Sequence, residues 1–212
     1  MSKTDDLLKR ILPSPEGCRN AAAKLRAAKP KLSPDQLAEQ AAKNARRWAT
    51  VAGTASGAVA NPFAMVPLAM GEMGVTLYRE AKMAGVVAAL LDPDSLADED
   101  TFHTDVLAIL FPGALSQALR ELGVQAGKAS TKALIRKYVS KNILRAIIKF
   151  AAKYLGLKLT QRAIITKSIP LVGGVIGGAW NWIEVKLVGK RAIKYHQGDI
   201  IEVPDAAQPT AD

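Results

Sequence analysis

The segment from Leu122 to Ile183 contains eleven basic residues and no aspartate or glutamate. Many of its basic residues recur every four positions, and residues four apart share one face of an α-helix. Apolar residues such as Ile135, Val139, Ile143 and Ile147 fall on the opposite face. The sequence therefore predicts amphipathic helices with a buried apolar face and an exposed basic face formed by Lys128, Lys132, Arg136, Lys141, Arg145, Lys149 and Lys153.

The rest of the composition also favours helix. Hydrophobic residues make up 49% of the chain and aromatic residues only 5%, and no stretch shows the sustained period-two alternation of a β-strand. We predict an all-α fold, in which a single multi-helix domain forms around two Gly-rich, charge-poor central helices. That domain spans 33–196, between an N-terminal helical extension at 1–32 and a flexible acidic C-terminal tail at 197–212.

Prolines, glycines and capping residues mark the helix boundaries. Ser33-Pro34-Asp35-Gln36 combines an N-cap serine, a proline at the first helical position and a glutamine three residues after the cap. Pro67 and Pro170 are each expected to open a helix, and Gly156 is expected to separate two helices. The predicted helices are 4–12, 16–29, 34–60, 67–91, 102–111, 113–122, 129–139, 141–155, 158–167 and 170–195.

Two segments, 48–71 and 168–183, contain no charged residue. The second is shorter than the about 20 residues that a membrane-spanning helix needs, and the first is interrupted by Pro62 and Pro67. Buried central helices are therefore expected, with a helical pair that can enter a bilayer as the alternative. Glycines four apart allow close helix approach, and the predicted packing motif comprises Gly53, Gly57, Pro67, Gly71, Gly74, Pro170, Gly173, Gly174, Gly177, Gly178 and Asn181.

A short internal repeat relates these two regions. Pro67-Leu68-x-x-Gly71 matches Pro170-Leu171-x-x-Gly174, and Glu80-x-Lys82-x-x-Gly85 matches Glu184-x-Lys186-x-x-Gly189. The repeat predicts that the helices starting at Pro67 and Pro170 contact each other through their glycines.

Motifs for catalysis or cofactor binding are absent from the sequence, which has no GxxxxGK[ST] loop, no nucleophile elbow and no CxxC pair. The acids around His103 are expected to cap a helix rather than to bind a metal, and Glu72 is expected to form an interhelical hydrogen bond. We therefore predict a protein without a metal, a cofactor or catalytic residues. Cys18 is the single cysteine, and Asp5 and Asp6 stand where a signal peptide would have basic residues, so the reducing cytoplasm is the expected compartment.

One segment resembles a known family. Lys167-Ser168-Ile169-Pro170-Leu171-Val172-Gly173-Gly174-Val175-Ile176-Gly177-Gly178-Ala179-Trp180-Asn181, followed by Gly189-Lys190-Arg191-Ala192, resembles the C-terminal signature of the EcsC family. The stretch 62–85 is similar to that family's earlier Pro/Gly helix, and the resemblance covers about 35–196. It implies a bacterial α-helical protein, from a family named for an accessory member of an ABC-transporter operon, and it implies no catalytic residues.

The charge distribution indicates the kind of partner. The formal charge is +10, and like charges four apart destabilise a helix by a few tenths of a kcal/mol per pair, so a binding role is expected. Anionic lipid ranks above nucleic acid, because no base-reading motif is present. We predict a non-enzymatic peripheral membrane or lipid-binding accessory protein at the inner face of the cell membrane. The alternatives are a cytoplasmic helical adaptor for an acidic protein partner and an enzyme that uses a carboxylate such as Glu72.

Overall fold

The computed structural model describes the backbone of residues 10–56, 62–123, 129–130, 132–137, 141–168, 173–198 and 201–202, and the side chains of 10–48, 74–123, 132–133, 135–137, 142–155 and 182–198. Its helices are α1 (Pro15–Ala28), α2 (Pro34–Ser56), α3 (Pro62–Leu91), α4 (Glu99–Leu110), α5 (Pro112–Glu121), α6 (Lys132–Lys137), α7 (Lys141–Ser168) and α8 (Gly173–Gln197). A 3-10 turn at Pro93–Leu96 joins α3 to α4. The predicted all-α single domain is confirmed.

Side-chain caps explain where several helices begin. The Ser33 hydroxyl accepts from the Gln36 backbone N–H at 3.2 Å, and the Ser33 N–H donates to Gln36 Oε1 at 2.9 Å. This reciprocal pair satisfies two backbone donors that a helix start leaves free, and it confirms the predicted start of α2. Ser14 and Asp98 cap α1 and α4 by accepting from the backbone N–H groups of Gly17 and Thr101.

One predicted proline boundary and one predicted glycine boundary are wrong. α3 begins at Pro62 rather than at Pro67, because a proline at the first helical position loses no hydrogen bond. Pro67 therefore lies inside the helix that it was expected to open. Gly156 also lies inside a continuous helix, α7, where two helices were predicted. A glycine in a helix interior costs about 1 kcal/mol relative to alanine, which lowers stability but does not end the helix.

A short strand pair replaces part of a predicted helix and part of the predicted flexible tail. Strand β1 (Ala129–Ser130) pairs antiparallel with strand β2 (Ile201–Glu202), with Ala129 opposite Glu202. The helix predicted at 129–139 is consequently reduced to α6, which begins at Lys132.

Helices α2, α3 and α8 pack against one another. The Gln197 side chain near the end of α8 donates to Asp35 at the start of α2 at 2.7 Å. A methyl group at Gly189 would stand 3.0 Å from Ala42 of α2 and 3.5 Å from Met83 of α3. Because Arg79 of α3 stacks on Trp48 of α2, α3 and α8 both run antiparallel to α2 and therefore parallel to each other.

The predicted contact between the two repeat-bearing helices is thereby confirmed. We also predicted that glycines of the packing motif form this contact. Among those glycines only Gly74, which is half-buried, belongs to the residues whose surroundings are described. The other members of the packing motif are Gly53, Gly57, Pro67, Gly71, Pro170, Gly173, Gly174, Gly177, Gly178 and Asn181, whose side-chain surroundings are not described.

The hydrophobic core includes the segment predicted as an N-terminal extension. Ile11, Cys18 and Ala22 are buried in the same cluster as Phe102 of α4. Burial raises the pKa of the Cys18 thiol to about 11, with the nearby Lys82 charge acting in the opposite direction. The thiol is therefore protonated at neutral pH and serves as a small apolar core residue.

Within the described residues, none of the helices combines the length and apolar character needed to span a membrane.

Gly85 offers a test of this packing. A methyl group at Gly85 would stand 2.5 Å from Cys18 Sγ and 2.9 Å from Phe102 Cζ. Gly85→Ala should therefore lower the free energy of unfolding by roughly 1–3 kcal/mol through overpacking, despite the better helix propensity of alanine. Urea denaturation measures the difference. Cys18→Ala should be better tolerated in the Gly85→Ala background than in the wild type, and strictly additive effects would contradict the contact.

Candidate functional site

Helix α7 carries the described part of the predicted basic face. Arg145, Lys149 and Lys153 are exposed, and their four-residue spacing places them on one stripe of the helix. On the opposite stripe Ile143, Ile147, Ala151 and Leu155 are fully buried. The predicted amphipathic character of this helix is confirmed, and its buried stripe prevents α7 from turning the three cations away from solvent. We call Arg145, Lys149 and Lys153 the α7 basic row.

The row retains its cationic character although one member has an acidic neighbour. Lys149 Nζ lies 3.1 Å from Glu121 Oε1, with 67% and 48% of the two side chains exposed. An exposed ion pair of this kind contributes at most about 1 kcal/mol. A phosphate group can therefore displace Glu121 from Lys149 at little cost.

The remaining members of the predicted basic face divide into two groups. Lys128 and the side chain of Lys141 lie outside the described residues, as does Val139 of the apolar face. Lys132 and Arg136 are described, and their expected exposure is wrong. Both point inward from α6, while Ile135 between them is fully buried as predicted.

Lys132 and Arg136 belong to a partly buried ionic cluster that we define as Asp92, Asp105, Lys132, Arg136, Tyr195 and His196. Asp92 Oδ2 lies 2.5 Å from Lys132 Nζ and 2.8 Å from Arg136. His196 Nδ1 approaches the same oxygen at 3.3 Å. Arg136 also reaches Asp105 at 3.3 Å, and the Tyr195 hydroxyl donates to the other Asp105 oxygen.

The cluster balances its charges. Two carboxylates face one ammonium and one guanidinium group, which matches the rule that buried charges are tolerated when they are paired and hydrogen-bonded. Burial alone would raise the pKa of Asp92, but hydrogen bonds from His196 and Lys132 and the charges of Lys132 and Arg136 hold it well below its usual range. The pKa of Asp105 is raised by its deeper burial, which its hydrogen bonds only partly offset.

Asp92, Asp105 and His196 bring three potential metal-ligand atoms within 4.8 Å of one another. Oxygen and imidazole ligands of this kind suit a divalent cation. However, Lys132 and Arg136 already occupy Asp92 Oδ2, so a metal ion would add two positive charges next to two cations. The electrostatics therefore favour an ion-paired structural cluster over a metal centre.

The sequence analysis did not predict this cluster, because each member was interpreted from its neighbours in sequence alone. Asp92 directly follows the helix predicted at 67–91, and Lys132 and Arg136 belong to the basic face that was predicted to be exposed. Their pairing joins positions 44 residues apart for Arg136 with Asp92 and 104 apart for His196 with Asp92. The sequence does place Arg136 directly after Ile135, which was predicted to be buried, and adjacent helix residues lie only about 100° apart around the axis.

The other acidic region behaves as predicted. Asp98 accepts from the Thr101 backbone N–H at 2.7 Å and caps α4, which confirms the expected capping role of these acids. His103 is half-buried and lies 3.3 Å from the Pro13 carbonyl oxygen. The Glu72 side chain lies outside the described residues, so its expected interhelical hydrogen bond stays a prediction.

Comparison with known proteins identifies no relative of this chain: no family model, no curated protein and no solved structure matches it. The resemblance of 167–181 to the EcsC family stays a prediction.

Asp92→Asn tests the ionic cluster. The variant leaves Lys132 and Arg136 facing a neutral amide, and we expect the free energy of unfolding at neutral pH to fall by about 2 kcal/mol. Asp94→Asn, which removes an exposed carboxylate from the same turn, is the matched control and should change little. Equal effects of the two substitutions in urea denaturation would contradict the cluster.

The stability difference between wild type and Asp92→Asn should also depend on pH. Because the folded-state pKa of Asp92 is depressed, its contribution is complete above the pKa of the unfolded chain, about 3.9, and is lost as pH falls through the folded-state value. We expect a constant difference between about pH 7 and pH 5, and a shrinking one below about pH 4. A difference that grows on acidification would contradict this assignment.

Proposed function

We propose that this protein is a non-enzymatic peripheral membrane protein that docks on anionic lipid through the α7 basic row. The observation that carries the proposal is the pairing of three exposed cations at four-residue spacing with a fully buried opposite stripe on the same helix. The geometry holds the cations on one surface and leaves them available to phosphate groups.

The charge pattern of the chain supports a membrane partner. The eleven basic residues between Leu122 and Ile183 account for the whole net charge, since the other residues together are nearly neutral. Each Lys or Arg near an anionic leaflet contributes about 1 kcal/mol of attraction, so the three-residue row supplies about 3 kcal/mol, or roughly a hundredfold in partitioning. The cytoplasmic leaflet is the anionic one, and we propose it as the docking surface.

The EcsC resemblance fits an accessory role of this kind. A cytoplasmic adaptor that binds an acidic protein partner is the second candidate, because the same row of cations would attract a carboxylate-rich surface. The internal pairing of Lys132 and Arg136 with Asp92 reduces the cationic area open to either partner, and Arg145, Lys149 and Lys153 are the residues on which the proposal depends.

Charge reversal of the α7 basic row tests the proposal. Arg145→Glu/Lys149→Glu/Lys153→Glu should weaken flotation with phosphatidylcholine–phosphatidylglycerol vesicles by about a hundredfold or more, because attraction is replaced by repulsion. Wild-type binding should also weaken as salt rises, since the Debye length falls from about 10 Å at 0.1 M to about 3 Å at 1 M.

The matched control is Lys24→Glu/Lys29→Glu/Lys31→Glu, which makes the same change in net charge with three exposed cations near the end of α1. This control should bind more tightly than the α7 variant. Equal losses of vesicle binding in the two variants would show that net charge alone determines binding, and would contradict a specific role of the α7 basic row. Failure of the wild-type protein to bind anionic vesicles would favour the adaptor.

A further inference from the structure

Large exposed apolar side chains are concentrated on three helices that pack against one another. Among the described side chains, seven such residues are exposed, and all but Leu122 belong to α2, α3 or α8. We call these six the aromatic collar: Trp48, Val75, Tyr78, Trp182, Ile183 and Leu187. Exposure reaches 55% for Trp48 and 52% for Ile183, so the helices cover neither residue.

Helix directions bring the collar together. The Arg79 guanidinium of α3 lies 4.2 Å from the ring centroid of Trp48 on α2, so Trp48 stands level with Tyr78. Gly189 of α8 packs closely against Ala42 of α2. Trp182 lies seven residues before Gly189 in α8, and Trp48 lies six residues after Ala42 in α2. Because the two helices are antiparallel, Trp182 and Trp48 lie at a similar distance from this contact and on the same side of it. Three helices thus present an aromatic residue at nearly the same height.

Each aromatic residue of the collar has a cation stacked on it. Lys82 Nζ lies 5.9 Å from the Tyr78 ring centroid, and Lys186 Nζ lies 4.8 Å from the Trp182 ring centroid. Both pairs are four residues apart within one helix. They belong to matching octapeptides, 78–85 and 182–189, which share an aromatic residue, then Glu, Lys and Gly at fixed offsets. The repeat therefore places the same aromatic–lysine unit on two parallel helices.

Charge is distributed asymmetrically about the collar. On one side the chain enters segments 49–71 and 168–181, which contain no charged residue, and Glu72 is the single charged residue between these segments and the collar. On the other side lie cations that precede Trp48 in α2 and follow Tyr78 in α3 and Trp182 in α8. Because α2 runs antiparallel to α3 and α8, all of these cations lie on the same side of the collar. Within 43–48, 78–82 and 182–186 there are six basic residues (Lys43, Arg46, Arg47, Arg79, Lys82 and Lys186) and two acidic ones, Glu80 and Glu184.

We propose that the aromatic collar seats the protein in the headgroup region of an anionic phospholipid bilayer. Tryptophan and tyrosine concentrate at membrane interfaces, where an apolar ring and a polar edge are both satisfied, and nearby Lys and Arg side chains reach out to the phosphates. The collar has this order, with chain that is uncharged except for Glu72 on one side, aromatic rings in the middle and cations on the other side. The inference rests on the proposed membrane function and adds an apolar contact to the electrostatic one.

The cation excess selects this occupant over an apolar protein surface. A second copy of the chain would bring the same excess of positive charge to the contact, and like charges across an interface are unfavourable. Lipid phosphates instead neutralise Arg79, Lys82 and Lys186 while the rings move into a less polar layer. Anionic phospholipid is therefore the partner that satisfies the rings and the cations together.

Tryptophan fluorescence tests the inference directly. The chain has three tryptophans, so Trp180→Phe/Trp182→Phe leaves Trp48 as the probe and Trp48→Phe/Trp180→Phe leaves Trp182. With phosphatidylcholine–phosphatidylglycerol vesicles, both probes should shift to the blue, and lipids brominated near the headgroup should quench them more than lipids brominated near the chain end. Unshifted spectra of vesicle-bound protein would overturn the inference.

A salt-resistant binding assay separates the collar from the α7 basic row. Trp182→Ala/Ile183→Ser/Leu187→Ser should reduce vesicle partitioning at about 1 M salt by on the order of a hundredfold, because screening leaves the apolar contact dominant. Leu122→Ser is the matched control, since Leu122 is an exposed apolar residue outside the collar, and it should have no effect.

The outcomes distinguish the two proposals. Salt-sensitive binding that is lost on reversal of the α7 row, with no effect of the collar variant, would overturn the collar and leave the proposed function intact. Salt-resistant binding that only the collar variant removes would support the collar and overturn the role of the row. A concentration-dependent blue shift without vesicles would assign the collar to self-association and overturn the lipid inference.

Discussion

The carboxylate of Asp92 joins α6 and the end of α8 to the end of α3, three parts of the chain that are far apart in sequence. It accepts contacts from Lys132 and Arg136 of α6 and from His196 near the end of α8, immediately after α3 has ended at Leu91. α6 is only six residues long, and so short a helix is not stable without tertiary contacts. The cluster therefore holds α6 in place, and α6 precedes α7, whose orientation sets which way its basic row faces.

The parts of the fold that follow from neighbouring residues were predictable. The Ser33 and Gln36 pair was visible as a capping signature, and the four-residue spacing in α7 correctly separated buried Ile143 and Ile147 from exposed Arg145 and Lys149. The signals that failed were the ones in which a tertiary environment outweighs a local preference. Gly156 and Pro67 disfavour helix locally, yet both lie inside helices.

Charge was the least predictable property of the site. Lys132, Arg136 and Arg145 occur at similar spacing in one acid-free region, and no local pattern distinguishes them. The first two face Asp92 because α6 packs against α4, whereas Arg145 faces solvent. A basic stripe in a sequence thus specifies a helical face, but the acids that neutralise part of it come from another region of the chain.

The two membrane contacts proposed here differ in range, and this difference explains why a peripheral protein would use both. The charges of the α7 basic row act over about a Debye length, about 10 Å at 0.1 M salt, and can attract the protein before contact. The aromatic collar acts only when its rings leave water, and its contribution scales with the apolar area removed. A few kcal/mol from either contact alone gives weak, readily reversible binding, as with a single lipid anchor. For a bilayer that reaches both sets, engagement of the first raises the effective concentration of the second, and neither contact requires a segment that spans the bilayer.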